Sequence, residues 1–254
     1  MLNQVQYDRL REMKTIQMVP LKKIDMSDET FSVNFMPDLQ NLRSSIKQIG
    51  LIQPVLLRKK SDRYQIVSGF RRISILNELG NYDVESMFFE EEEMDDLQLF
   101  SISLHDNLMA RGFNTVEKAI ALDKLVHRFQ VEPSLVIKTF LPLFSLEPNE
   151  KILNTYLSLA RMEEEVKRYV LKEEVSRSNI RRLSTLTPDD RIDLLSLIST
   201  MKLGENRLRE LLTLLDEISR RDRCTMGEII HRPEIQVVLS QKEMTPSQRM
   251  ERMK

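Results

Sequence analysis

Strand and helix signals occupy different parts of this chain of 254 residues. Runs of β-branched, aromatic and alternating apolar residues, which are typical of strands, occur only before about residue 90. From Met94 onward, apolar residues recur at helical spacing, and prolines or glycines interrupt the pattern at intervals. This segregation predicts an α+β fold class, in which a small domain with a mixed sheet precedes an all-helical region.

The chain can be divided further by the same signals. The polar N-terminal residues 1–14 lack periodicity, and we expect them to form a flexible arm. Thr245 and Pro246 have the pattern of an N-cap and a first helical residue, and because little sequence follows them we expect a further C-terminal segment. The predicted regions after the arm are an α+β domain over residues 15–110, a helical region over 111–200 and C-terminal helices over 201–254.

Composition excludes several classes of protein. No run of residues is apolar enough for a membrane span and the start has no signal-peptide pattern, so we expect a cytoplasmic protein without a membrane partner. Cys224 is the only cysteine and the three histidines are scattered, which excludes an internal disulfide and a zinc site. The net charge of −1 does not by itself indicate nucleic-acid binding, although a neutral total can combine a basic face with an acidic one.

The stretch YQIVSGFRRISILNEL, residues 64–79, changes from strand to helix at Ser68 and Gly69. Arg71 and Arg72 fall in the predicted first turn of the helix, where unsatisfied N–H groups already give partial positive charge. An anion would account for them, because backbone N–H groups, Ser68 as helix cap and two guanidinium groups form a phosphate site. The alternative is that both arginines lie on the exposed face of an amphipathic helix.

Three segments resemble, in the same order, motifs of the N-terminal domain of the ParB family. They are GLIQP at residues 50–54, GFRR at 69–72 and DNLMARGFNTVEKA at 106–119. The corresponding family motifs are GLxQP, GERRxRA, and ENxQR followed by LNPIEEA. The resemblance covers residues 15–125 or so, and it implies the fold that this family shares with sulfiredoxin.

This resemblance implies a nucleotide switch. In characterised ParB proteins the domain binds CTP with Mg²⁺, and the nucleotide makes two such domains close into a clamp around DNA. The resemblance therefore implies a DNA-binding homodimer at the nucleoid, acting with a partner ATPase in chromosome or plasmid partition or in a related regulatory role.

The resemblance also implies roles for individual residues. Gly69, Arg71 and Arg72 would hold phosphates, and Gln53 with Pro54 would lie beside the nucleotide. Arginine forks suit phosphate oxygens, while carboxylate and amide oxygens suit Mg²⁺. The predicted metal ligands are Asp106 and Asn107, and the predicted nucleotide-binding set is Gln53, Pro54, Ser68, Gly69, Arg71, Arg72, Asp106, Asn107 and Arg111.

Departures from the family motifs bear on catalysis. Phe70 replaces the glutamate of GERRxRA, Asp106 replaces a longer glutamate, and Arg111 lies one position later than the family arginine. Binding is therefore a firmer expectation than hydrolysis, and weak CTPase activity stays open. Phe70 also occupies the position of the sulfiredoxin cysteine, which excludes that redox chemistry. No cluster of His, Asp and Glu residues supports a nuclease.

The helical half offers two candidate DNA-binding elements. The segments SLVIKTFLPLF and NEKILNTYLSLARM have the pattern of a helix-turn-helix, whose second helix presents Lys151, Asn154 and Thr155. The second candidate is a basic stretch containing Arg177, Arg181 and Arg182. The alternative is that these cations lie on solvated helix faces balanced by nearby glutamates.

The sequence thus predicts a ParB-like, nucleotide-controlled DNA-binding protein, with two alternatives. The first is a regulatory adaptor in which the nucleotide pocket has decayed, as Phe70 indicates. The second is a small-molecule kinase on the same fold. A leucine stripe within residues 205–222 is predicted to lie in the core, or to form a dimer seam.

Overall fold

The computed structural model describes residues 16–201 and 205–240, together with Met244, Gln248, Glu251 and Arg252. The predicted arm at residues 1–14 and the predicted helix start at Thr245 lie outside these described residues. The chain divides into two compact units, Met1–Leu146 and Glu147–Lys254. In the described part of the chain, no helix is both long and apolar enough to cross a membrane.

The first unit is built on a five-stranded sheet. Its strands are β1 (Gln17–Pro20), β2 (Ile24–Asp25), β3 (Val55–Lys60), β4 (Arg63–Ser68) and β5 (Asp83–Phe89). They lie in the order β1-β5-β3-β4-β2. Two strand-like runs joined by Ser61 and Asp62 have the sequence pattern of a hairpin, and β3 and β4 are indeed antiparallel neighbours. β1 is antiparallel to β5, whereas β2 is parallel to β4 and β3 is parallel to β5, so the sheet is mixed as predicted.

The sheet is strongly curled. β1 and β2 lie at its opposite edges, although only the short 3₁₀ helix Leu21–Lys23 separates them along the chain. Five flat strands at a spacing of about 4.8 Å would place the two edge strands roughly 19 Å apart. The four residue steps from Pro20 to Ile24 cover at most about 14 Å even when fully extended. The two edges must therefore approach each other.

The first unit also contains helices, some of which pack against the sheet. They are α1 (Gln40–Ile49), α2 (Phe70–Glu78), α3 (Asp96–Ala110), α4 (Thr115–Asp123), α5 (Pro133–Leu135) and α6 (Leu141–Leu143), with π-helical segments at Lys124–Arg128 and Val136–Phe140. The predicted helix that follows Gly69 is confirmed as α2. Ile46 of α1 and Ile73 of α2 join Val55, Leu57 and Ile66 of the sheet in the buried core.

The second unit is helical throughout its described residues, as predicted. Its helices are α7 (Glu150–Ala160), α8 (Glu164–Lys172), α9 (Arg177–Leu183), α10 (Pro188–Met201), α11 (Glu205–Asp222), α12 (Met226–Ile230) and α13 (Pro233–Ser240). A mixed sheet in one unit and helices in the other confirm the predicted α+β class.

The leucine stripe of α11 belongs to the core of a single copy. Its members are at most 7% exposed, and they are Leu208, Leu211, Leu212, Leu215 and Ile218. Side chains buried to this degree are removed from water by their own chain. The alternative that this stripe forms a dimer seam is therefore wrong.

Candidate functional site

The junction between β4 and α2 is closely packed. Gly69 lies at φ +103°, in the left-handed region that favours glycine, and a Cβ atom there would lie 2.7 Å from Cγ1 of Val55. The first turn of α2 therefore rests directly on β3. Ser68 is not the cap of this helix, contrary to expectation, because Gly69 is the N-cap and Ser68 ends β4. Its hydroxyl instead donates a hydrogen bond to Oδ2 of Asp106 at 2.5 Å.

A cleft of about 800 Å³ opens beside this junction, a size that suits a small organic ligand. α1, the β4–α2 junction and α3 contribute to its walls. The structure brings nearly all of the predicted nucleotide-binding residues to this cleft, namely Gln53, Ser68, Gly69, Arg71, Arg72, Asp106, Asn107 and Arg111. The remaining predicted residue, Pro54, contributes its carbonyl oxygen to Arg72 at 3.0 Å.

Arg72 is fixed by groups at the start of β3. Its Nη1 atom donates to the carbonyl oxygens of Gln53, at 2.9 Å, and Pro54. Its Nη2 atom lies 3.5 Å from Oδ2 of Asp106. Burial lowers the pKa of Arg72 below its usual value, and the Asp106 carboxylate partly offsets that effect. The side chain is only 17% exposed, so the alternative of a solvated surface arginine is wrong.

Arg71 points toward a different partner. Its Nη2 atom donates to Oε1 of Glu117 at 2.6 Å, and its Nε atom donates to Oδ1 of Asn34 at 2.8 Å. Arg111 binds the same carboxylate through Nη1, at 2.6 Å to Oε2, and through Nη2, at 3.1 Å to Oε1. The Glu117 side chain is 1% exposed. Burial, followed by the nearby Arg111 guanidinium, lowers the pKa of Arg71.

Glu117 and Asn34 were not predicted as part of the site. Glu117 lies in the family-like segment DNLMARGFNTVEKA and forms a capping box with Asn114 at the start of α4, but neither signal indicates a contact with Arg71. Nothing in the sequence around Asn34 distinguishes it from other loop residues. Both residues join the site through contacts with Arg71 and Arg111, and of these contacts only the one between Glu117 and Arg111 is local in sequence.

Lys124 anchors the loop that forms another wall of the cleft. Its ammonium group donates to the carbonyl oxygens of Glu29, Thr30 and Ser32 at 2.5, 3.2 and 2.6 Å. The intervening Phe31 lines the cleft. Burial, followed by the nearby Arg128 guanidinium, lowers the pKa of Lys124 to about 8.

Asp106 and Asn107, the predicted metal ligands, lie side by side on α3 at the cleft. Nδ2 of Asn107 donates to the Ser103 carbonyl at 2.8 Å. The described residues contain no group of three or more His, Cys, Asp or Glu side chains that could hold a metal. Two oxygen donors fit a Mg²⁺ ion that takes its remaining ligands from phosphate and water, but they do not form an all-protein cage.

A basic groove of about 440 Å³ lies in the second unit. The predicted DNA-binding residues Lys151 and Thr155 of α7 and Arg177 and Arg181 of α9 line it. In the described part of the chain, no carboxylate is hydrogen-bonded to the three cations Lys151, Arg177 and Arg181. The other lining residues of the groove are Glu147, Asn149, Ile152 and Ser178.

The remaining predicted DNA-binding residues lie elsewhere. Asn154 is exposed on α7 but does not line the groove. Arg182 binds Oδ2 of Asp216 at 2.5 Å, which ties α9 to α11. The two helices of the first predicted helix-turn-helix belong to different units, because its first segment ends before Leu146 and α7 begins after it.

Comparison with known proteins finds a family match within the first unit. Residues 6–108 match the family model described as the ParB N-terminal domain. Residues 6–108, which are less than half of the chain, are thus similar to the ParB N-terminal domain. The resemblance seen in the sequence is confirmed.

Two curated relatives agree with this assignment. The chain is 27% identical over 151 residues to the nucleoid occlusion protein of Halalkalibacterium halodurans, which covers 59% of this chain and 50% of that protein. It is 28% identical over 150 residues to the chromosome-partitioning protein ParB of Caulobacter vibrioides, which covers 58% of this chain and 46% of that protein. The chain thus spans about half the length of these two relatives.

One solved structure is also similar. It is the C-terminally truncated chromosome-partitioning protein ParB from Caulobacter crescentus, complexed with CTP-gamma-S. The sequences are 22% identical, and the match has a TM-score of 0.34 and covers 68% of this chain and 94% of the other.

Proposed function

We propose that this protein is a DNA-binding protein of the ParB type whose first unit binds a nucleoside triphosphate as a switch. The nucleotide is CTP with Mg²⁺, by resemblance to the family, and it occupies the cleft beside Gly69. DNA binds at the basic groove of the second unit. A homodimeric clamp working with a partner ATPase at the nucleoid, in chromosome or plasmid partition or a related regulatory role, is part of the same proposal.

The observation that carries the nucleotide proposal is the convergence of Arg71, Arg72 and Arg111 on one cleft. Polyphosphate chains carry several negative charges, and guanidinium groups bind their oxygens in a two-pronged geometry. Gly69 adds a helix N-terminus, and the first N–H groups of a helix can bind an anion. Asp106 and Asn107 supply oxygen ligands beside these arginines, which supports a Mg²⁺ ion shared with the phosphates.

Binding rather than turnover is the proposed activity of the cleft. Phe70 lines the cleft at the position where the family motif has a glutamate. A phenyl ring can neither accept a proton nor orient an attacking water molecule. We therefore expect nucleotide hydrolysis to be slow or undetectable.

Calorimetric titration of the full chain tests the nucleotide proposal. CTP, ATP and GTP with Mg²⁺ are titrated into the wild type, into Arg71→Ala and into Arg43→Ala. Arg43 is a matched control, because it is a partly exposed arginine of α1 that pairs with Glu78. We expect CTP binding that Arg71→Ala weakens by about 100-fold, corresponding to loss of a charge-assisted pair. Absence of binding to all three nucleotides would reject the proposal.

Salt dependence tests the DNA proposal. The affinity of the full chain for duplex DNA should fall as salt rises, because cations of the groove displace counterions from phosphates. The double variant Arg177→Gln, Arg181→Gln should lower the slope of log K against log salt by about two. Arg168→Gln is the control, since Arg168 pairs with Glu164 on the surface of α8. Equal slopes in all three proteins would exclude the groove.

The adaptor alternative has one observation in its favour. Arg71 and Arg111 already bind Glu117, so the cleft is not an array of vacant cations. An adaptor with a decayed pocket would bind no nucleotide in the titration and would depend on protein partners instead. The same calorimetric experiment therefore separates the two functions.

A further inference from the structure

The buried carboxylate of Glu117 is an internal anion that occupies two of the three cleft arginines. It accepts from both Arg71 and Arg111, and it also accepts from the backbone N–H groups of Asn114, at 3.2 Å, and Phe35, at 3.4 Å. Charge-assisted bonds of this kind are among the stronger polar contacts in proteins. A phosphate that approaches Arg71 must therefore compete with a contact that is already formed.

Arg71 is the cleft arginine best placed for such an exchange. Arg72 is fixed mainly by two uncharged carbonyl groups, and Arg111 chelates Glu117 through both of its terminal nitrogens. Arg71 has a single bond to Glu117 and a single bond to the neutral Asn34. If Arg71 leaves, Glu117 keeps Arg111 and two backbone donors, so the buried charge is not left without a partner.

We propose that bound polyphosphate and Glu117 compete for Arg71, so that nucleotide binding is an exchange of anions and is coupled to the start of α4. This inference rests on the proposed function, because it assigns the regulation of the same cleft. Glu117 is both the competing anion and the capping-box residue of α4. A change in its bonding therefore alters the hydrogen bonds that fix the first turn of that helix. Glu117 is a positioning residue and does not itself contact the ligand.

Removal of the charge at Glu117 tests the exchange. Glu117→Gln keeps the shape and most of the hydrogen-bonding capacity of the side chain but releases Arg71 from its ion pair. We expect this variant to bind CTP with Mg²⁺, and also inorganic triphosphate, about tenfold more tightly than the wild type. A residue that only holds Arg71 in position for the ligand would give weaker binding instead.

Asp38→Asn is the matched control. Asp38 also lines the cleft and is exposed, and among the described residues it accepts a hydrogen bond only from the backbone of Gln40, at 3.0 Å. Its neutralisation removes the same charge without releasing an arginine, so we expect less than about a threefold change. Equal gains in both variants would mean that the cleft responds only to net charge, and would overturn the exchange.

A measurement on the wild type covers the case in which Glu117→Gln fails to fold. In the exchange, saturating inorganic triphosphate should shift the NMR signals of the Asn114 and Phe35 amides, whose N–H groups bind Glu117. Unchanged signals at saturation would overturn the inference.

The outcomes separate this inference from the proposed function. CTP binding to the wild type without a gain in Glu117→Gln would leave the proposed function standing and reject the exchange. Binding to Glu117→Gln alone would reject the switch in the wild type and support Glu117 as a blocking anion. Absence of binding to both proteins would reject both proposals.

Discussion

The cleft of the first unit and the groove of the second unit present their cations in opposite ways. In the cleft, Arg71 and Arg111 share a buried carboxylate, and Arg72 is held by two carbonyl groups and Asp106. In the groove, the cations are exposed to solvent, and among the described residues no carboxylate binds them. The cleft arginines are therefore hydrogen-bonded to other groups of the fold, whereas the groove cations lie on its surface.

This difference determines how each surface can recognise an anion. A ligand that binds the arginines of the cleft must replace existing contacts. It binds only if its own contacts with these arginines are stronger than those of the internal partners. A ligand of the groove adds contacts without removing any, so its binding follows mainly from charge and is sensitive to salt. The proposed nucleotide switch therefore depends on contacts that discriminate among ligands, whereas the proposed DNA binding depends mainly on charge.

The largest expected effect concerns the packing beneath the cleft. Gly69→Ala should lower the free energy of unfolding by about 3 kcal/mol, because the new Cβ would combine an unfavourable φ with a contact on Val55. Gly80→Ala is the control, since Gly80 also has a positive φ, but a Cβ atom there would have no neighbour within 4 Å. It should lose only about 1 kcal/mol. Urea denaturation measures both, and equal losses would show that the junction is not closely packed.

A second prediction compares the two sets of cations directly. Arg111→Gln leaves the buried Glu117 with one guanidinium and should lower the free energy of unfolding by about 2 kcal/mol. Arg181→Gln removes a groove cation and should change it by less than about 0.5 kcal/mol. Chemical denaturation of both variants measures these losses. Similar losses in the free energy of unfolding would remove the distinction between the hydrogen-bonded cations of the cleft and the exposed cations of the groove.

Lys124 provides a third and smaller test, because it is a largely buried cation whose ammonium group donates to three carbonyl oxygens. Its pKa is about 8 in the folded protein and 10.5 when unperturbed, so the unfolded chain binds more protons between these values. Stability should therefore rise with pH in this window, by about 1 kcal/mol between pH 7 and pH 9. Thermal denaturation over this range should show the rise in the wild type but not in Lys124→Met. A flat wild-type profile would contradict the prediction.

The sequence predicted the features that depend on neighbouring residues. The β3–β4 hairpin follows from two strand-like runs joined by Ser61 and Asp62, and the start of α2 follows from Gly69. Such signals act over a few residues, and the structure agrees with them. The family motifs extended the prediction to residues that the fold then brings to one cleft.

Contacts between residues far apart in the chain could not be predicted from the sequence. Glu117 lies 46 positions from Arg71, and its place in the segment DNLMARGFNTVEKA does not indicate a contact with that arginine. Arg182 shares a helical stretch with Arg181, yet it pairs with Asp216 of another helix. Helix packing determines whether an arginine contacts a partner or faces solvent. The spacing of apolar residues along the sequence does not reveal how the helices pack.

The curl of the sheet also constrains how the first unit opens. One short segment, residues 17–25, is hydrogen-bonded to β5 at one edge and to β4 at the other. The entropy cost of ordering this segment arises once, although the segment forms hydrogen-bonded ladders with both β5 and β4. If either edge frays, the chain that holds the other edge is released within a few residues. Local unfolding should therefore be cooperative here, and the backbone amides of both edges should exchange with solvent as one group.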